Sequence, residues 1–115
     1  MTKTADLSLR NSVAIRLRAL QKVAGATDQQ MANYVGMSRT AWANAVALNS
    51  KKPNKPSEEA MVRLCEKSKL TMDWIYRGSY DNVPYALAIA LQEALATPEE
   101  TAHGTIPLPG LVDQN

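Results

Sequence analysis

A chain of 115 residues, 45% of them hydrophobic, has room for one compact core and an appendage but not for two independent cores. Aromatics make up 5%, phenylalanine is absent and alanine and leucine dominate, which favours a small helical bundle over a sheet. The net charge of +2 conceals an asymmetry, because residues 1–56 hold nine Lys and Arg against two acids while residues 57–115 hold four against nine. A basic half joined to an acidic half suits a nucleic-acid binder with a separate assembly segment, although solvated helices carry charge in any case.

In chain order, residues 1–8 read as a short polar arm. From Leu9 to Ala24, Val13, Leu17, Leu20 and Ala24 recur at helical spacing and form the core stripe of a first helix. Arg10, Arg16, Arg18 and Lys22 fall largely off that stripe, and Gly25 ends the helix.

The stretch TDQQMANYVGMSRTAWANAVALN, residues 27–49, reads as a helix, a tight turn and a second helix. Thr27 is an N-cap, and Met31, Ala32 and Val35 share one buried face. Gly36 supplies a left-handed stop, Met37 an apolar plug, and Ser38 the next cap. Trp42, Ala45 and Val46 then point inward, which leaves Arg39, Thr40, Ala43 and Asn44 on the outer side. Arginine forks onto guanine, asparagine onto adenine, threonine meets a base or a thymine methyl, and a small alanine lets the helix lie close.

The loop SKKPNKPS, residues 50–57, packs three lysines and two prolines into eight residues. Its prolines prevent a helix, so the lysines stand on a stiff exposed loop suited to phosphates. Ser57 with Glu58 and Glu59 opens a fourth helix whose inner face is Ala60, Met61, Leu64 and Cys65. Cys65 reads as a small core residue rather than a nucleophile or ligand. Thr71 caps a short fifth helix ending at Gly78, with Trp42 and Trp74 as core anchors.

After a linker at Ser79 to Val83, Pro84 starts a sixth helix through Ala96 that is apolar nearly all round. Leu87, Leu91 and Leu95 make one row and Ile89 lies opposite, so the segment 79–96 reads as linker and homodimer contact, against packing wholly on its own domain. Residues 97–115, with three prolines, two glycines and the only histidine, His103, read as an extended or disordered tail.

Two segments in register carry a resemblance. The order Thr27, Met31, Ala32, Gly36, Met37, Ser38 resembles the helix-turn-helix of the Cro and lambda-type phage repressor family, which usually reads T-Q-x-x-L-A-x-x-x-G-V-S. MDWIYRG, residues 72–78, is similar to the family's closing (V/L)-D-W-L-x-x-G. The resemblance covers roughly Val13 to Gly78 and implies an all-α, five-helix lambda-repressor-like domain over residues 9–78, with an additional C-terminal helix and tail. It implies base contacts from Arg39, Thr40, Ala43 and Asn44, and phosphate contacts from Gln29, Ser38, Lys51, Lys52, Asn54 and Lys55.

Three positions depart from the family pattern. Asp28 stands where a glutamine is usual, and a carboxylate near phosphate is unfavourable, so Gln29 is the substitute. The glutamate and glycine that commonly end the third helix are missing, and Gln21 replaces the arginine that usually pairs with that glutamate. That paired loss is expected if an apolar contact replaces an ion pair. Asn49 is then the left-handed cap in place of the lost glycine.

The expected function is a sequence-specific transcriptional regulator, most simply a repressor, that binds double-stranded DNA as a homodimer on a near-palindromic operator. The alternative is an antitoxin or antiactivator-type interaction protein that uses the same fold to bind a protein partner. An enzyme is disfavoured, since no glycine-rich phosphate loop, metal-ligand spacing or carboxylate pair on a shared apolar face occurs, and no cofactor or metal is implied. One cysteine, no apolar run of 18 residues and no leader-like start imply a reducing cytoplasm and no membrane.

Overall fold

The apolar stripe of the first helix makes that helix the axis of the molecule. The structure, a computed structural model, describes residues 2–46, 57–96 and 108–111, with the side chains of the first helix described from Ser12. It is helical, in the order α1 (Thr2–Ala24), α2 (Asp28–Val35), α3 (Arg39–Ala45), α4 (Glu58–Ser68), α5 (Met72–Arg77) and α6 (Tyr85–Ala96), with no strand among the described residues. Val13, Leu17, Leu20 and Ala24 are buried as their spacing predicts, and Val23 joins them. α1 packs on α5 and α6, while α2 packs on α3 and α4 and α4 on α5.

Local chemistry sets the boundaries. Thr27, Ser38, Ser57 and Thr71 each accept a hydrogen bond from a backbone N–H in the following turn. At Thr27 the box is reciprocal, because the Gln30 side chain accepts from the Thr27 N–H at 2.8 Å. Inward sit Met31, Ala32, Val35, Trp42, Ala45, Val46, Ala60, Met61, Leu64, Trp74 and Ile75. Cys65 is half-buried, its Sγ 3.6 Å from the Met72 sulfur, and burial aided by Glu66 pushes its thiol up to about 11.

Three expectations change. α1 begins at Thr2, so residues 2–8, read as an arm, continue the first helix. The homodimer row is the second: Leu87 and Leu91 are buried within the single chain and Leu95 is half-buried, leaving Ile89 as the one exposed residue of the four. α6 lays its leucines together with Ala88, Ala90 and Ala94 inward and packs on α1, so its inner row is occupied without a second chain. The outward stripe is Tyr85, Ala86, Ile89, Gln92, Glu93 and Ala96, with Tyr85 82% and Ile89 37% exposed.

The third change concerns the tail. Residues 108–111 are not extended, because Leu108 is buried in the core cluster and the Leu111 N–H donates to the Leu108 carbonyl at 3.1 Å, closing a turn around Pro109 and Gly110. Gly110 at φ 80° takes the left-handed conformation that the third residue of such a turn demands.

Candidate nucleic-acid interface

The helix-turn-helix forms because its turn is chemically specified. Gly36 adopts φ 77°, a region that costs a residue with a Cβ, and the Met37 N–H donates back to the Ala32 carbonyl at 2.8 Å. The guanidinium of Arg63 from α4 lies over Gly36, so a side chain at position 36 would meet it as well. Arg63 also pairs with Glu59 at 2.7 Å on the exposed face of α4.

α3 presents the residues named from the sequence. Arg39, Thr40 and Asn44 are exposed and Ala43 is half-buried, which brings the four expected base-reading positions to the outer side. The side chains of Arg39, Thr40 and Asn44 make no hydrogen bond to another described residue. Ser38 is exposed, with its oxygen accepting from the Ala41 N–H at 3.0 Å, so its hydroxyl proton remains available as a donor. Gln29 is half-buried and its amide donates to Asn33 Oδ1 at 2.9 Å, which ties it along α2. Lys51, Lys52, Asn54 and Lys55 lie outside the described residues. The expected cap at Asn49 is corrected: α3 ends at Ala45, and Val46, at φ −100°, is its cap, so the helix stops earlier and without a left-handed residue.

The inner side of α3 is held by α1 through a polar device. Trp42 is fully buried, and its indole N–H donates to Gln21 Oε1 at 3.0 Å. The Gln21 amide donates in turn to the Ala26 carbonyl at 3.2 Å and to Asp28 Oδ1 at 2.9 Å. One side chain thus joins α1, the turn after it, the start of α2 and α3. The expectation of an apolar contact at Gln21 is therefore replaced by a hydrogen-bonded hub. Asp28 is absorbed into it, with its carboxylate in the first turn of α2 where the helix dipole favours a negative charge.

Arg18 adds a second tie, donating from Nη1 to the Val46 carbonyl at 3.3 Å, at the residue that caps the end of α3. Arg16 does the same for α5, donating to the Ile75 carbonyl at 2.9 Å, and burial lowers its pKa. The spacing of Arg16 and Arg18 marked them as lying off the core stripe, but not which helix end each would reach. Their position beside the stripe, within reach of packed helices, is the one signal available in the sequence.

Among the described residues, no group of three or more His, Cys, Asp or Glu could hold a metal ion, and no helix is long and apolar enough to cross a membrane. The arrangement suits contact with a polar surface through a short, rigidly backed helix: exposed donors outward, a buried tryptophan and a satisfied polar hub inward. A scan of protein-family models, a search of curated proteins and a search of solved structures return no match for this chain.

Proposed function

We propose that the chain is a sequence-specific DNA-binding regulator of the phage-repressor type, with a lambda-repressor-like domain that acts as a repressor in a reducing cytoplasm. The observation that carries this reading is the pair α2 and α3, joined at the left-handed Gly36, with Arg39, Thr40 and Asn44 exposed on a helix whose other side is locked to α1. Arg39 and Asn44 are the base readers, Thr40 and Ala43 provide close contact, and Ser38 with the lysines of residues 50–57 holds phosphates. Two copies bind half-sites about 34 Å apart, one turn of duplex, and repression follows from occluding polymerase. Pairing of the copies uses the outward stripe of α6 around Tyr85 and Ile89.

That same stripe favours a second reading, an interaction protein of the antitoxin or antiactivator kind, since an exposed tyrosine beside an exposed isoleucine also suits a different chain. Selection of the purified chain against a randomised duplex pool near physiological salt separates the two. Recovery of a two-fold-related site supports the regulator. Enrichment no better than the non-specific background, together with co-purification of a different chain, supports the partner-binding role instead.

A further inference from the structure

The turn at Leu108 to Leu111 is held in a way that the reading face does not require. Leu108 is 4% exposed within the core cluster, and Leu111 packs half-buried against the same cluster. The Tyr34 hydroxyl donates to the Pro109 carbonyl at 2.6 Å, across 75 positions of sequence. Tyr34 is itself fixed by α4: Lys67 Nζ donates to the Tyr34 carbonyl at 2.9 Å and sits 5.1 Å from its ring centroid. Lys67 thus ties the backbone and the ring of Tyr34 to α4, while the hydroxyl itself bonds the turn. On the other side, the turn is internally closed by its Leu111 to Leu108 hydrogen bond and by Gly110 at φ 80°. A tyrosine donor held on α2 and α4 with the apolar cluster beside it, and a turn closed within itself, are the parts of a peptide-recognition site.

We propose that the face around Tyr34 and Lys67 is a binding site for a short leucine-proline-glycine-leucine turn, and that the chain's own C-terminal turn occupies it as an exchangeable ligand. Leu108 is the anchor, the Pro109 carbonyl the polar contact, and Gly110 the residue that permits the shape. The resident turn belongs to the same chain, so a free peptide competes poorly until that turn is disabled. Burial pushes the Tyr34 hydroxyl up to about 12. The site stands on α2 and α4 and does not depend on the DNA-binding reading.

The test uses the full chain and a fluorescein-labelled peptide of residues 105–115, followed by anisotropy. Gly110→Val strains the left-handed position while leaving Leu108 and the core unchanged in composition. This variant should bind the peptide at least tenfold more tightly than the native chain does, and Leu108→Asp in the chain serves as a second acceptor with the same expectation. The peptide carrying Leu108→Asp should lose at least tenfold in affinity, because its anchor is no longer apolar. Adding Tyr34→Phe to the acceptor should weaken binding about fivefold. Equal binding by the native and Leu108→Asp peptides overturns the proposal. So does the absence of binding to an acceptor variant whose helicity by circular dichroism matches that of the native chain.

Discussion

Replacing Gln21 by leucine isolates the polar hub that backs α3. The substitution keeps most of the side-chain volume but removes three hydrogen bonds, at 3.0 Å from Trp42 and at 3.2 and 2.9 Å to Ala26 and Asp28. Trp42 is fully buried, so its indole N–H loses its partner and has no water to replace it, a cost of about 1–3 kcal/mol. Ala26 and Asp28 are half-buried and regain water, so their two bonds add about 1 kcal/mol together. The sum, about 2–4 kcal/mol, is a large share of the 5–15 kcal/mol typical of a domain, and at a urea slope of about 1.5 kcal/mol/M it lowers the midpoint by about 1–3 M. A double-mutant cycle with Trp42→Phe sharpens the test. Removing the donor first relieves the orphaned N–H, so Gln21→Leu in that background should cost about 1 kcal/mol, a coupling of about 1–3 kcal/mol. Trp74 is the control, because its indole N–H is buried without a partner among the described residues and should show no coupling to Gln21. Additivity of Gln21→Leu and Trp42→Phe within about 0.5 kcal/mol would refute the hub.

Arg39→Ala should weaken binding to a selected operator by about 1–3 kcal/mol and relax one base position; unchanged discrimination between operator and random duplex contradicts that role. Lys52→Ala and Lys55→Ala should each weaken operator and random DNA alike and flatten the logarithmic salt dependence by about 0.9, as measured by titration at several salt concentrations. On α6 the two faces should separate: Leu91→Ala, at a fully buried position, should cost about 2–5 kcal/mol of stability, whereas Ile89→Asp should leave the fold intact and give monomers by light scattering. A dimer that survives Ile89→Asp moves the interface elsewhere. Cys65 gives a pH prediction, because its folded-state pKa of about 11 lies above the reference value of 9.0. Its contribution is complete below pH 9 and is lost as pH rises towards 11, so Cys65→Ala should flatten the alkaline decline of the urea midpoint across that window. An identical decline in the variant assigns the loss to other groups.

The helices and most of their ends were legible because they depend on residues a few positions apart, the start of α1 and the end of α3 being the exceptions. Thr27 caps through Gln30 and Ser38 through Ala41, and the stripe Val13, Leu17, Leu20 and Ala24 is a matter of spacing alone. The outward set Arg39, Thr40 and Asn44 followed from the same periodicity once Trp42, Ala45 and Val46 were turned inward. α6 was ambiguous for the same reason. A helix with apolar residues on every side has no preferred face in sequence, and its inner row could be recognised only from the packing of α6 on α1 and the burial of Leu87 and Leu91.

What the sequence determined by itself was a helical chain, the N-terminal caps, the left-handed turn at Gly36 and the side of α3 that faces outward, all products of interactions within about one helical turn. The tertiary structure alone decided which polar groups meet. Gln21 reaches Trp42 across 21 positions, Arg18 reaches Val46 across 28, and Tyr34 reaches Pro109 across 75. Those partners are chosen by how the helices pack, and no local spacing encodes that. A glutamine beside a core stripe, or a Leu-Pro-Gly-Leu run in a proline-bearing tail, becomes a hub or a docked turn only when burial brings an unsatisfied donor within reach.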